Sequence, residues 1–208
     1  MPPTKTAIIA YGMGNLRSVA NAVEALGHEA YIAAQPDMLQ TSDRIILPGV
    51  GAFGDGIRNL VESGWVDALE AEVRSKRKPF LGLCLGMQLL ATSGTEHGNH
   101  RGLGWIRGTV ERLRPGSGLR IPHIGWNDVR FTKRDRLYAA LGDSGIFYFV
   151  HSYVFHPEDP TVVSGLCSYG EDFVASVESD NIFATQFHPE KSQKAGLAVL
   201  KRFLEMKV

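Results

Sequence analysis

Two short segments, far apart in the chain, carry side chains that together could do nucleophilic chemistry. The first is Phe80-Leu81-Gly82-Leu83-Cys84-Leu85-Gly86-Met87-Gln88-Leu89-Leu90. Cys84 has a glycine two residues away on each side, the cysteine counterpart of the G-x-S-x-G elbow in which a strand turns sharply into a helix. Gly82 and Gly86 remove the side chains that would block so tight a turn. A helix N-terminus or a neighbouring imidazolium lowers a thiol from its usual pKa of about 8.5 toward the reactive thiolate. The Leu85 N–H would face negative charge developing on a substrate carbonyl. Gln88, one helical turn on, returns to the face of Cys84 and could hold a polar substrate group. A free cysteine is most often a small buried hydrophobe, and the glycine frame favours the nucleophile over that reading. Cys167, in Gly165-Leu166-Cys167-Ser168-Tyr169, has no such frame and reads as core packing.

The second segment is Gln186-Phe187-His188-Pro189-Glu190-Lys191-Ser192. Pro189 stops a strand ladder and stiffens the corner. His188 and Glu190, two apart, leave an extended segment on the same side. Glu190 could therefore orient the imidazole, as the acid does in a Ser-His-Asp triad. By itself the pair is equally well an incidental feature of a surface turn. The other histidines carry less. His97 and His100 fall in the polar stretch 94–101, a solvated loop by composition, and His28 follows a helix end where a cation meets the dipole. His123 and His156 stand near prolines, as in turns. No spacing of Cys, His or carboxylates suits zinc.

The elements that must position these groups follow from periodicity. Strands are predicted over residues 6–10, 31–34, 44–47 and 80–83. Helices are predicted from Leu16 through Leu26, with Leu16, Val19, Ala20, Val23 and Leu26 on one face, and over 57–62, 65–77 and 85–92. Strands alternating with helices imply right-handed βαβ units and a parallel sheet. The later part reads as hairpin-linked strands over 110–113, 128–131, 146–150, 161–164, 174–177 and 182–186, with a turn at 178–181. A last helix over 193–205 turns Leu197, Leu200 and Leu204 inward. The expected fold is a single three-layer α/β domain with a mainly parallel central sheet and added antiparallel strands.

Lys plus Arg equals Asp plus Glu at 22 each, which argues against a broad nucleic-acid footprint or a polybasic membrane anchor. The basic run at 74–78 reads as a solvated helix end. No apolar stretch is long enough to span a bilayer, and the first residues lack the pattern of a signal peptide. Two distant cysteines suggest reduced thiols and a cytoplasmic setting.

Taken together, Cys84, Gln88, His188, Pro189 and Glu190 make the chain resemble the class I (triad) glutamine amidotransferases. More narrowly, it resembles the glutaminase subunits of imidazole glycerol phosphate synthase, from histidine biosynthesis. The resemblance runs over nearly the whole chain, through residues 11–16, 47–53, 82–90 and 186–192. Ile121-Pro122-His123-Ile124-Gly125-Trp126-Asn127 and Tyr148-Phe149-Val150-His151-Ser152-Tyr153 narrow it. The resemblance implies one glutaminase domain over residues 1–208, with no metal or organic cofactor. In it Cys84 attacks the side-chain amide of glutamine, His188 moves protons and Glu190 orients the ring. Gly49-Val50-Gly51 would supply a second oxyanion-hole N–H, from Val50 or Gly51, beside Leu85. The glycines make peptide reorientation cheap, so that hole could form only on activation. Gly49, Gln88 and the backbone around Ser152 and Tyr153 would hold the amino-acid end. A (β/α)8-barrel cyclase subunit would receive the ammonia, with Asn15, Trp126 and Lys191 at the interface. Trp126 is otherwise an ordinary core aromatic. Ala10 departs from the family, which often has an acidic residue there, without touching the triad. Three alternatives stand beside this reading. The glutaminase of pyridoxal phosphate synthesis is disfavoured by the 121–127 stretch. A γ-glutamyl hydrolase or cysteine peptidase would act without a partner. A non-catalytic binding subunit is disfavoured by the intact Cys84, His188 and Glu190.

Overall fold

In the computed structural model, which describes residues 3–116 and 118–206, the apolar runs of both halves join one nine-stranded sheet. The first half alternates β1 (Lys5–Ile9), α1 (Leu16–Ala25), β2 (Glu29–Ala33), β3 (Arg44–Gly49), α2 (Phe53–Glu62) and α3 (Trp65–Leu69) before β4 (Phe80–Cys84) and α4 (Leu85–Gln88). Short strands β5 (Ser93–Gly94), β6 (His100–Arg101) and β7 (Gly108–Arg112) follow. Then come β8 (His123–Phe131), β9 (Ser144–His151), β10 (Tyr153–Pro157), β11 (Val163–Ser168), β12 (Asp172–Ser179), β13 (Ile182–Thr185) and α5 (Gln193–Glu205). The large sheet runs β2-β1-β3-β4-β13-β12-β11-β8-β9, parallel from β2 to β13 and antiparallel from β13 to β9. The antiparallel strands thus extend the parallel sheet rather than decorate it. A small second sheet, β10-β7-β5-β6, lies beside it.

Alternation along the central strands splits their side chains between two cores. Ile8, Ile46, Leu81, Leu83 and Phe183 pack with Val19, Ala20 and Val23 of α1 and with Val199, Leu200, Phe203 and Leu204 of α5. Ala7, Ile9, Ile45, Leu47, Phe80 and Ala184 pack on the other face with Phe53, Leu60, Trp65, Leu69, Leu85 and Met87. That is the three-layer α/β arrangement. Leu197, expected inside, is only partly buried. None of the described helices is long and apolar enough to cross a membrane.

Three elements differ from their sequence pattern for visible reasons. The helix expected over 65–77 is α-helical only to Leu69 and continues as a π-helical stretch, Glu70–Ser75. Its buried residues Trp65, Leu69 and Val73 recur every fourth position, which drifts about 40° per step on a 3.6-residue helix. The wider turn, closed by Lys76 N–H on the Ala71 carbonyl, takes up that drift. The helix expected over 85–92 stops at Gln88. The carbonyls of Leu89, Leu90 and Ala91 accept instead from the N–H groups of Leu103, Ile106 and Gly104, so a crossing loop replaces further helix. The strand expected over 161–164 begins only at Val163, after a 3₁₀ turn, Pro160–Val162, capped by Asp159. Strands β5, β6 and β10 had no counterpart in the expected elements.

The elbow glycines are confirmed by their surroundings. A Cβ on Gly82 would stand 2.6 Å from the Gly86 carbonyl oxygen, and one on Gly86 would overlap the Leu47 carbonyl oxygen. Gly82→Ala or Gly86→Ala should therefore cost about 1–3 kcal/mol of stability. Urea unfolding checks this; an unchanged midpoint in both variants would show that the elbow has room to spare.

Candidate active site

Parallel pairing of β4 decides where the cysteine ends up. Gly49 of β3 lies opposite Cys84, and Thr185 of β13 opposite Leu83. The segments leaving all three strands therefore emerge side by side at the carboxyl edge, where open α/β sheets place ligands. Cys84 is itself the turn, with φ 53° and ψ −104°, a backbone region that residues with side chains rarely adopt. It is buried, and its sulfur lies 3.9 Å from the Val150 carbonyl oxygen. Leu85 opens α4, so its N–H is one of the first-turn donors without an intrahelical acceptor.

The histidine corner is fixed from several sides. Gln186 N–H donates to the Ala175 carbonyl at 2.8 Å, and His188 N–H to the Tyr148 carbonyl at 3.0 Å. The Ser192 hydroxyl donates to the His188 carbonyl and accepts from Tyr148 N–H, at 2.6 and 3.0 Å. In this frame His188 Nδ1 is 2.8 Å from Glu190 Oε1, with both side chains almost completely buried. The other ring nitrogen, Nε2, is buried and makes no hydrogen bond among the described residues. Burial alone would lower the pKa of this ring. The nearby Cys84 sulfur, and the Glu190 carboxylate hydrogen-bonded to Nδ1, outweigh it and lift the pKa to about 10. The protonated ring is therefore favoured.

A cleft of about 170 Å³, open to solvent, lies before Cys84. Val50, Gly51, Leu85 and Gln88 line one side. Val150, His151, Ser152 and Tyr153 line the other, where the chain leaves β9 and crosses into β10; Glu96 completes the wall. Gly49 sits beneath it, buried against Leu85 and the Tyr11 hydroxyl. No group of three or more metal-ligating side chains occurs among the described residues.

These features can be set beside known proteins. The family described as "Glutamine amidotransferase class-I" matches residues 7–206. The chain belongs to that family. It is 48% identical over 209 residues to "Imidazole glycerol phosphate synthase subunit HisH" of Geobacter sulfurreducens, covering 98% of this chain and all of the relative. It is 49% identical to the protein of the same name from Aquifex aeolicus, covering 96% and 95%. Among solved structures, "Structure of PurLQS from Thermotoga maritima" superposes with a TM-score of 0.76 over 98% of both chains at 22% identity, a likeness of fold.

Within this class I amidotransferase, the three residues singled out for interface roles lie apart from the cleft wall. Trp126 is 48% exposed, which removes the core-aromatic alternative. It meets Tyr148 edge-on at 5.8 Å, and Lys191 Nζ lies 5.9 Å from the same ring. Ile124 and Ile146 project from the same outward face of the β8–β9 pair and are more than half exposed. Asn15 is exposed and caps α1 by accepting the Ser18 N–H at 3.2 Å.

Three cleft or near-cleft residues, Glu96, Gln186 and His123, escaped the sequence reading, as did the burial of His28 at the opposite edge of the sheet. Glu96 comes from the 94–101 stretch, where polarity suggested only a solvated loop; Phe53 N–H at the start of α2 holds its carboxylate at 2.9 Å. Gln186 is fully buried beside Cys84. His123, expected in a turn, is buried at the start of β8 with its Nδ1 3.0 Å from Nε2 of His151. His28, expected as a helix-end cation, is instead buried, and its Nδ1 accepts the Thr4 N–H. Burial lowers its pKa despite the nearby Glu205 charge.

Hydrogen-bond partners fix both tautomers of the His123–His151 pair. Asn127 Nδ2 donates to the Ser168 carbonyl and lies 3.4 Å from His123 Nε2, which must accept. His123 Nδ1–H then donates to His151 Nε2, and His151 Nδ1–H donates to the Tyr153 carbonyl at 3.0 Å. Both rings are neutral. Burial lowers their pKa to about 4 for His123 and, with the charge of His123 adding to burial, about 3 for His151. Below the unfolded value near 6.5 the unfolded chain takes up protons that these folded rings refuse, so stability falls with pH until they titrate. Each ring should contribute a slope of at most about 1.4 kcal/mol per pH unit between pH 6 and 4.5. Urea unfolding across that range should show a shallower slope in His151→Gln, and an unchanged slope would contradict the neutral pair.

Proposed function

We propose that this class I amidotransferase is the glutaminase subunit of imidazole glycerol phosphate synthase, that residues 1–208 form its one glutaminase domain, and that Cys84, His188 and Glu190 are its catalytic residues. The observation that carries this reading is a strained cysteine at a sheet edge near a buried histidine whose Nδ1 a buried carboxylate holds. Relatives named for that subunit, at 48% and 49% identity over nearly the whole chain, favour it over the glutaminase of pyridoxal phosphate synthesis.

The Cys84 thiolate attacks the side-chain amide carbon of L-glutamine. As the tetrahedral centre collapses, His188 gives its proton to the departing nitrogen, leaving ammonia and a glutamyl thioester. Neutral His188 then takes a proton from water as that water adds to the thioester. Collapse releases glutamate, and the proton returns the site to its starting state. Glu190 keeps Nδ1 protonated so that Nε2 faces the reaction. The Leu85 N–H and an N–H from Val50 or Gly51 receive the oxyanion. Gln88, Gly49 beneath it, and the Ser152–Tyr153 backbone shape the amino-acid subsite, and the Glu96 carboxylate suits its ammonium group. The exposed Trp126, Ile124 and Ile146 beside Lys191, together with Asn15, form the face offered to a (β/α)8-barrel cyclase, which consumes the ammonia to make imidazole glycerol phosphate. The pair acts in the cytoplasm, where the thiol stays reduced.

Cys84→Ala should lower glutamine-dependent turnover of the complex by at least about 10³-fold, while added ammonium still drives the cyclase. Retained glutaminase activity would remove Cys84 as nucleophile. Glutamate release by this chain alone should rise about 10²–10³-fold with cyclase and its ligand present, the worth of one oxyanion donor. Equal rates with and without them would mean that the hole is always formed.

A further inference from the structure

We propose that Gln186 is a positioning residue of this site, holding the Cys84 sulfur with an N–H donor and turning Gln88 so that it shows the substrate only an acceptor. The inference rests on the glutaminase reading above. It begins at a group whose polarity is beyond choice. The Tyr153 carbonyl can only accept, and the Gln88 amide meets it at 2.9 Å, so the meeting atom is Nε2. That same nitrogen lies 3.0 Å from the Gln186 amide, which must therefore present Oε1. The remaining Gln186 group, its NH₂, then faces Cys84 Sγ at 3.5 Å. Turning Gln88 would set oxygen against the Tyr153 and Gln186 oxygens, and turning Gln186 would set N–H against N–H and oxygen against sulfur.

Water cannot relieve such a mismatch, because Gln186 is fully buried and Gln88 nearly so. The Gln186 backbone is pinned as well, by its N–H on the Ala175 carbonyl, so the amide is delivered to the sulfur rather than left to find it. Two chemical consequences follow. An N–H directed at sulfur favours the thiolate over the thiol. Gln88 has spent both N–H groups, and only its Oε1 remains, an acceptor suited to the α-ammonium of a free amino acid and not to its carboxylate.

The test compares the full chain with Gln186→Met, which removes the donor and the acceptor at similar size, and Gln186→Glu, which keeps the acceptor for Gln88 but gives sulfur no donor once ionised. Alkylation by iodoacetamide is followed against pH, and glutaminase kinetics are measured in the complex with the cyclase. Cys167 does not interfere below pH 10, since burial pushes its thiol up to about 12. Both variants should move the alkylation midpoint upward by about one to two pH units and lower kcat about 10–100-fold. KM for glutamine should rise in Gln186→Met and stay near the parent value in Gln186→Glu. Folded variants with the parent alkylation profile and kcat would overturn the proposal. A merely structural role would not move the alkylation midpoint. Should the variants fail to fold, the ¹⁵N side-chain amide signal of Gln186 in the unsubstituted chain decides. It should titrate with the alkylation midpoint, and a flat signal would overturn the proposal. If Cys84→Ala is inactive while these tests fail, the role of Gln186 falls alone; if Cys84→Ala stays active, the glutaminase mechanism falls with it.

Discussion

Parallel hydrogen bonding of β4 between β3 and β13 is the constraint from which the cleft follows. Parallel strands in register finish on one edge, so Gly49, Cys84 and the segment beyond Thr185 become neighbours without long excursions of the chain. What is costly is the turn. A residue with a side chain at φ 53° carries strain of about 1–3 kcal/mol, and it persists because the backbone of Leu47 and Gly86 closes directly over Gly82 and Gly86. The two apolar clusters that hold these strands from both faces are therefore also what keeps the sulfur at the edge. A sheet packed on one side only could not over-determine so unfavourable a conformation.

Much of this was legible in the sequence because it is local. The elbow needs only the glycines around Cys84, and the histidine corner only Pro189 and a two-residue spacing. The strands of the first half announce themselves as apolar runs, since both their faces are buried. What was not legible depends on partners from elsewhere. Nothing within residues 85–92 says that the N–H groups of Leu103, Gly104 and Ile106 will take the carbonyls a longer helix would have used. Glu96 looks solvated until Phe53 N–H is placed against it. His123 looks like a turn residue until β9 brings His151 alongside. The spacing of Trp65, Leu69 and Val73 was readable, but as a wide turn rather than as an ordinary helix.

The same strand that carries the outer face also holds His188. Tyr148 offers its ring to Trp126 and Lys191 outside. Its backbone carbonyl accepts His188 N–H, and its N–H is tied through Ser192 to the His188 carbonyl. Burying His188 and Glu190 together is favourable only while their geometry stays tight, because each would be costly to bury alone. A partner resting on Trp126 and Lys191 would therefore press on the strand that sets that geometry, a physical route by which docking can be felt at His188 and Cys84.

The Tyr153 carbonyl gives the cleft its polarity from the other side. It accepts from His151 and from Gln88 at once, so one buried chain of hydrogen bonds ends on it and another starts beside it, both with their donor directions fixed. One comes from Asn127 through the two imidazoles. The other ties Gln88 to Gln186 and so to the sulfur. In a water-poor interior such chains cannot be reversed one link at a time, since each reversal would strand a donor or an acceptor. Protonating His151 would force His123 to exchange tautomers and set its Nε2–H against the Asn127 amide. The neutrality of the His123–His151 pair and the orientation of the amide beside Cys84 are thus two readings of one backbone oxygen.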